Sequence, residues 1–181
     1  MPYLNLIILC FVIMIAISIV WSTLKTGISP MMSSRKATGV ILDTLKGRVD
    51  KNELWVDLGS GWGTLVIGMA QRFPDQQVIG YELSWFPWVV SVLRKKYLGL
   101  DNLKLYKKNF LEAELNGASV LVCYLYPGGM LKLSEKLKRD LVDDVMIVSN
   151  TFALSGCKSS KTIKLKDIYR TPIYLYQWSK E

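Results

Sequence analysis

The chain of 181 residues contains no histidine and only three cysteines, Cys10, Cys123 and Cys157. The absence of histidine removes the commonest general base and the commonest metal ligand. The cysteines show no C-x-x-C spacing, so nothing in the sequence indicates a disulfide framework or a zinc site. The sequence therefore predicts no metal centre, and any chemistry must proceed without an imidazole.

Charge is absent from residues 4–21, LNLIILCFVIMIAISIVW. A helix of this length would extend about 27 Å, against about 30 Å of membrane hydrocarbon. A signal peptide would carry a basic start and a small-residue cleavage site, and neither is present. We predict that residues 1–24 form a single transmembrane anchor. Basic residues follow the run but do not precede it, which places the remainder of the chain on the cytoplasmic or equivalent side.

Acidic side chains are also scarce, with 15 Asp and Glu against 23 Lys and Arg and a net charge of +8. Two basic clusters contribute to this excess: Lys132, Lys136 and Arg139 on one predicted helix face, and Lys158, Lys161, Lys164 and Lys166 near the C-terminus. A solvated surface is the plain interpretation. Beside an anchor, attraction to anionic lipid is the functional one. Nucleic acid is not an expected partner, because no RNA-binding motif accompanies the charge.

Beyond a linker at 25–33, the domain at 34–181 alternates between helical and strand patterns. The predicted strands are 53–58, 77–82, 103–108, 119–126 and 144–150, with helices between them, and the last two, 162–167 and 172–178, form a hairpin. This alternation predicts an α/β fold with a mostly parallel sheet, helices on both faces and an antiparallel hairpin at one edge.

A glycine-rich loop follows the first strand in VDLGSGWGTL (56–65). No lysine follows Gly63, which excludes a phosphate-binding P-loop, and Gly63 arrives one position too early for a dinucleotide fingerprint. Asp57 would repel a pyrophosphate but suits an amino group or a nucleoside. Glu82 ends the second strand about 20 residues later, where a carboxylate can accept hydrogen bonds from both ribose hydroxyls. Asn109 follows the third strand, where it can bond an adenine.

These features resemble the seven-strand, class I methyltransferases that use S-adenosylmethionine. More narrowly, the stretches WVDLGSGWGTLVI, VIGYELSWFPWVV, KKNFLEAEL, YLYPGGMLKLSEKLKRDL and IYLYQW are similar to small protein-lysine methyltransferases, which include archaeal and membrane-anchored mitochondrial members. The resemblance implies a Rossmann-like sheet and S-adenosylmethionine as the cofactor. It also implies cofactor-binding roles for Asp57, Gly59, Ser60, Gly61, Gly63, Glu82, Leu83, Asn109 and Phe110.

This chain departs from the family at two places. Asn109 stands where an aspartate is common, and the segment 29–37 keeps Pro30 but lacks the further prolines that the family tends to have.

The acceptor is expected to enter beyond the fourth and fifth strands. Tyr124 follows the fourth strand, and Asn150 and Phe152 follow the fifth, so we predict that these three residues line an acceptor channel. Tyr124 as an ordinary core tyrosine is an equal alternative, and packing is the favoured interpretation of Phe152. The fourth strand lacks the N-P-P-Y or D-P-P-Y ending of enzymes that methylate nucleic-acid bases.

The sequence leaves three functions open. The first is a membrane-anchored protein-lysine methyltransferase. The second is a methyltransferase for a lipid or another small membrane-bound acceptor. The third is a non-catalytic assembly factor that retains a nucleoside site. The sequence does not indicate an oligomeric state.

Overall fold

The computed structural model describes residues 2–26, 32–48, 52–140 and 144–179. Its centre is a seven-stranded sheet of β1 (Leu54–Leu58), β2 (Gln77–Tyr81), β3 (Leu103–Tyr106), β4 (Ala118–Cys123), β5 (Val145–Asn150), β6 (Lys161–Lys164) and β7 (Pro172–Trp178). The strand order is β3-β2-β1-β4-β5-β7-β6. The first five strands pair in parallel and β7 pairs antiparallel to both β5 and β6. The predicted α/β sheet with a C-terminal antiparallel hairpin is confirmed.

The helices are α1 (Pro2–Thr26), α2 (Arg35–Leu45), α3 (Thr64–Arg72), α4 (Trp85–Leu98) and α5 (Pro127–Asp140). Ser34 begins α2 by accepting a hydrogen bond from the Ala37 amide on its Oγ, as an N-cap serine does. Gly99 ends α4 in the left-handed conformation, where a side chain would be strained.

Alternating strand residues bury two cores, one on each face of the sheet. In β1, Trp55 packs into the core shared with α2 and α3, whereas Val56 packs into the core that includes α5. Burying apolar area on both faces supplies most of the favourable free energy of such a fold. Because the parallel strands all point the same way, their carboxyl ends share one edge, and the predicted site residues lie along that edge.

Helix α1 covers the apolar run predicted to cross a membrane, and it contacts α4. The prediction of a helix there is right, but the predicted transmembrane span is not supported. Within the ranges that the structure describes, no helix combines the length and hydropathy needed to cross a membrane. Helix α1 extends two residues beyond the predicted anchor. Most of the predicted linker, residues 27–31, lies outside the described residues.

One basic cluster also differs from its sequence interpretation. Lys136, predicted on a charged helix face, is only 4% exposed. Its Nζ donates to Asp140 Oδ2 at 2.8 Å, and Arg139 donates to the same carboxylate. Hydrogen bonds from both cations lower the pKa of Asp140 below its usual range. These charges form a local network that joins two cations to one carboxylate, and Lys136 is not available to a lipid surface.

Candidate active site

The glycine-rich loop links β1 to α3 and carries three glycines in the left-handed region, with φ of 96° at Gly59, 52° at Gly61 and 80° at Gly63. A Cβ at Gly63 would lie 2.9 Å from side-chain atoms of both Ile67 and Ser91. At Gly63 both the backbone and the neighbouring side chains therefore require glycine. The loop lies against the end of β2, because the Gly59 and Ser60 amides both donate to the Tyr81 carbonyl, at 3.0 and 2.8 Å.

Glu82 joins this loop to the start of α4. Its Oε2 accepts from the Gly61 amide at 2.7 Å, and its Oε1 accepts from the Ser84 amide at 2.6 Å. A carboxylate oxygen has two lone pairs, so each oxygen keeps one for a further donor. The predicted ribose-binding residue thus holds two backbone segments of the site in position and retains capacity to accept from a ligand.

Asp57 is buried beneath the N-terminus of α3, at 3% exposure. Burial, and secondarily the charge of Glu82, raise the pKa of Asp57 from 3.8 to about 8, which a hydrogen bond from the Val66 backbone partly offsets. Desolvation disfavours the carboxylate and a second carboxylate repels it. A cation bound next to Asp57 would offset both effects, favour the ionised carboxylate and be attracted to it.

An open cleft lies beside this loop. Its lining combines the predicted residues Asp57, Gly59, Ser60 and Tyr124 with five others, Met32, Ser33, Trp62, Thr64 and Leu65. Ser60 Oγ is buried and has no hydrogen-bond partner among the described residues, so a ligand hydroxyl, amino or carboxylate group can satisfy it. The polar lining and buried carboxylate of this cleft suit the cationic amino-acid tail of S-adenosylmethionine.

The predicted acceptor residues meet at the ends of β4 and β5. The rings of Tyr124 and Phe152 stack with their centroids 6.4 Å apart and an angle of 22° between their planes. Asn150 is 2% exposed, and its Nδ2 donates to Ser33 Oγ at 3.2 Å. Ser33 and Tyr124 both line the cleft, so Asn150 and Phe152 each contact a lining residue without lining the cleft themselves.

Six of the nine predicted cofactor residues lie outside the cleft lining: Gly61, Gly63, Glu82, Leu83, Asn109 and Phe110. Leu83 is 41% exposed. Asn109 Oδ1 accepts from the Leu111 amide at 3.1 Å and begins a short 3₁₀ helix, and Phe110 packs against the core shared with α5. Asn109 thus has a local structural function, with one lone pair left on its Oδ1 for any adenine contact.

Sequence reasoning missed residues that reach the site from a distance. Arg94 on α4 donates from Nη1 to the Trp62 carbonyl at 2.7 Å, which fixes the glycine-rich loop from outside. The Trp62 ring packs edge-on against Phe86, with centroids 5.6 Å apart. Trp62 lies inside the glycine motif, so the sequence could have indicated it as a site residue. The contact with Arg94 joins residues 32 positions apart, and no nearby sequence pattern predicts it.

Cys123 ends β4 and directly precedes Tyr124. Burial raises its pKa to about 12, so the thiol stays protonated. Across the described ranges, no three Cys, Asp or Glu side chains group closely enough to hold a metal ion.

Comparison with known proteins identifies this arrangement. Residues 57–161, which include the glycine-rich loop and Glu82, match the ANTKMT methyltransferase domain family. The chain belongs to this family. A protein-lysine N-methyltransferase of Saccharolobus islandicus strain REY15A is 25% identical over 131 residues, which cover 71% of this chain and 81% of that protein. A human lysine N-methyltransferase for the C-subunit of ATP synthase is 34% identical over 100 residues, 54% of this chain and 41% of the human protein.

Solved structures agree with the family. An RNA methyltransferase from Salinibacter ruber, solved with S-adenosyl-L-homocysteine, superposes with a TM-score of 0.74 at 23% identity and covers 83% of this chain and 95% of that one. At this identity the likeness shows the fold alone. The predicted class I methyltransferase fold is confirmed, and the family and these neighbours support S-adenosylmethionine as the cofactor.

Proposed function

We propose that this methyltransferase transfers methyl groups to the ε-amino group of lysine in a membrane or membrane-proximal protein. The observation that carries the proposal is that Phe152 stacks on Tyr124 and Asn150 donates to Ser33, where Tyr124 and Ser33 line the cleft that contains Asp57. We call Tyr124, Asn150 and Phe152 the acceptor wall. The names of the archaeal and human relatives, both lysine N-methyltransferases, support the acceptor class.

Asp57, Ser60 and the bare backbone of the glycine-rich loop are the residues that would hold the cofactor's tail, and Glu82 its ribose. When bound, S-adenosylmethionine supplies an electrophilic methyl group. The aromatic pair Tyr124 and Phe152 excludes water from the lysine, which enters as an ammonium with a usual pKa of about 10.4. Desolvation between rings favours loss of that proton to solvent, so the neutral amine forms without a histidine base. Asn150, held by Ser33, fixes one side of the channel.

We further propose that the enzyme associates with a membrane. Helix α1 exposes large apolar side chains along its length, among them Leu4, Ile7, Met14 and Ile17. Exposed apolar area of this extent marks a surface that contacts a protein or a lipid. The basic residues that follow α1 favour the anionic cytoplasmic leaflet or its equivalent.

The experiment that tests acceptor class uses radiolabelled S-adenosylmethionine, the full chain and membranes from cells that lack the protein. Protein and lipid are separated afterwards, and methylated residues are identified by mass spectrometry. We expect label on protein lysines with the wild type, none with Glu82→Ala, and full activity with Glu114→Ala, which removes an exposed carboxylate. Label on lipid alone would establish a lipid acceptor instead, and cofactor binding without any transfer would establish a non-catalytic protein.

A further inference from the structure

The loop between β6 and β7, residues 165–171, exposes two large apolar side chains at its tip. Ile168 is 95% exposed and Tyr169 is 87% exposed. Single exposed apolar residues are common on protein surfaces. Two adjacent ones at the end of a hairpin indicate an interaction site.

Internal hydrogen bonds order this loop. Asp167 accepts from the Thr171 amide at 2.8 Å and from the Thr171 hydroxyl at 2.6 Å, and its carbonyl accepts from the Arg170 amide at 3.1 Å. The Leu165 amide closes the loop on the Thr171 carbonyl at 2.9 Å. Because the loop is already ordered, it can bind a surface without the entropy cost of folding a flexible segment.

The charge around the tip is mainly positive. Lys164, Lys166 and Arg170 belong to the hairpin and are exposed, and Lys36 of α2 reaches it by donating from Nζ to the Lys166 carbonyl at 3.3 Å. Asp167 is the acidic residue of the loop, and the hydrogen bonds from Thr171 lower its pKa and keep it ionised, so the four cations leave a net positive charge around the tip. The loop therefore presents the apolar pair Ile168 and Tyr169 to solvent, with basic side chains around it.

The tip is connected to the acceptor wall. Strand β7 runs antiparallel to β5, so its start lies at the edge where the parallel strands end, with Ile173 opposite Asn150. The Thr151 amide donates to the Pro172 carbonyl at 2.8 Å. The loop that carries Ile168 and Tyr169 thus lies beside the turn that positions Asn150 and Phe152.

We propose that residues 164–170, together with Lys36, form a docking surface for a membrane with anionic headgroups, and that this surface places the acceptor channel against the bilayer. Such docking rests on the membrane association proposed for this methyltransferase. Ile168 enters the boundary of the acyl chains, Tyr169 occupies the interfacial layer where its ring and hydroxyl are both satisfied, and the cations contact headgroups. An acidic protein is the competing partner, but a convex apolar tip fits a deformable lipid surface better than a flat protein face.

The test places an environment-sensitive NBD fluorophore at Tyr169→Cys in the full chain. Cys10 and Cys157 are replaced by serine, and Cys123 remains because it is buried and protonated. The matched control is the same label at Asn116→Cys, an exposed position just before β4 and so at the opposite edge of the sheet. Vesicles are phosphatidylcholine with or without phosphatidylserine.

We expect a blue shift and increased emission from the label at position 169 on phosphatidylserine vesicles, and no change from the label at position 116. In the unlabelled chain, Ile168→Ser with Tyr169→Ser should lower vesicle affinity about tenfold. Lys166→Glu with Arg170→Glu should lower the salt-sensitive part of binding, whereas Lys138→Glu, at the far end of α5, should not.

An unchanged spectrum at position 169 on anionic vesicles would overturn the proposal and direct the search to an acidic protein. Because the label reports its own surroundings, attachment of the chain through α1 cannot imitate the result. Vesicle binding is measured without methyl transfer, so this outcome is separate from the success or failure of lysine as the acceptor.

Discussion

Cofactor affinity should depend steeply on pH because Asp57 is protonated in the free enzyme. With its pKa raised to about 8, Asp57 is about nine-tenths neutral at pH 7. A bound cation favours the carboxylate and lowers that pKa, so binding must expel the proton. The ionised fraction rises from about one in a hundred at pH 6 to about one half at pH 8, and the association constant should rise about 50-fold with it.

Calorimetry in two buffers of different ionisation enthalpy measures this release directly. At pH 7 the wild type should release about nine-tenths of a proton for each S-adenosylmethionine bound. Asp57→Asn should abolish the release and flatten the pH profile, whereas Asp101→Asn, an exposed control, should keep both. Glu82→Gln removes the second cause of the raised pKa, so the midpoint should move to lower pH. A wild-type affinity that stays constant from pH 6 to 8 would refute the reasoning.

Three further results are expected. Glu82→Ala should weaken cofactor binding by about 10- to 100-fold in calorimetry, since it removes hydrogen bonds to a charged group, and exposed Glu114→Ala should not. Tyr124→Ala should lower kcat about 10- to 100-fold through loss of acceptor alignment, with a smaller change in cofactor affinity; equal losses in both would assign Tyr124 to the core. Gly63→Ala should lower the free energy of unfolding by at least about 1 kcal/mol in denaturant titration, whereas Gly39→Ala, in open helical space, should raise it by about 0.5–1 kcal/mol.

The sheet could be predicted because its signals are local. The apolar patterns predicted each strand to within a few residues. The largest overruns were at β4, which ends at Cys123 and not at Tyr126, and at β6, which ends at Lys164 and not at Asp167. Cys123 is the last β4 residue that pairs with β5, opposite Ser149, and Tyr124 then turns toward the cleft. Strand pattern alone cannot show where pairing stops, because that depends on the neighbouring strand.

The site could be predicted in part for the same reason. Asp57, the glycines and Glu82 each mark the end of a strand, and parallel strands bring such ends together. Ser33 and Arg94 could not be predicted, because their contacts with Asn150 and Trp62 join distant segments. The prediction for Lys136 was wrong for a related reason. A charged side chain was expected to be exposed, but Asp140 one helical turn later forms an ion pair with Lys136 that permits its burial.

Asn150 and Phe152 of the acceptor wall flank a strained turn at Thr151, which residue conformational preferences would not predict. Thr151 adopts φ of 71°, a conformation that costs free energy for a β-branched residue. Three hydrogen bonds hold it: the Thr151 amide donates to Pro172, the Phe152 amide donates to Asn150, and Ser149 Oγ donates to the Phe152 carbonyl at 2.6 Å. One of these hydrogen bonds joins the turn to Pro172, the first residue of β7, so the hairpin is directly connected to this turn. If the hairpin tip docks on a membrane as proposed, the contact acts on the turn that carries Asn150 and Phe152, and so links docking to the geometry of the proposed acceptor channel.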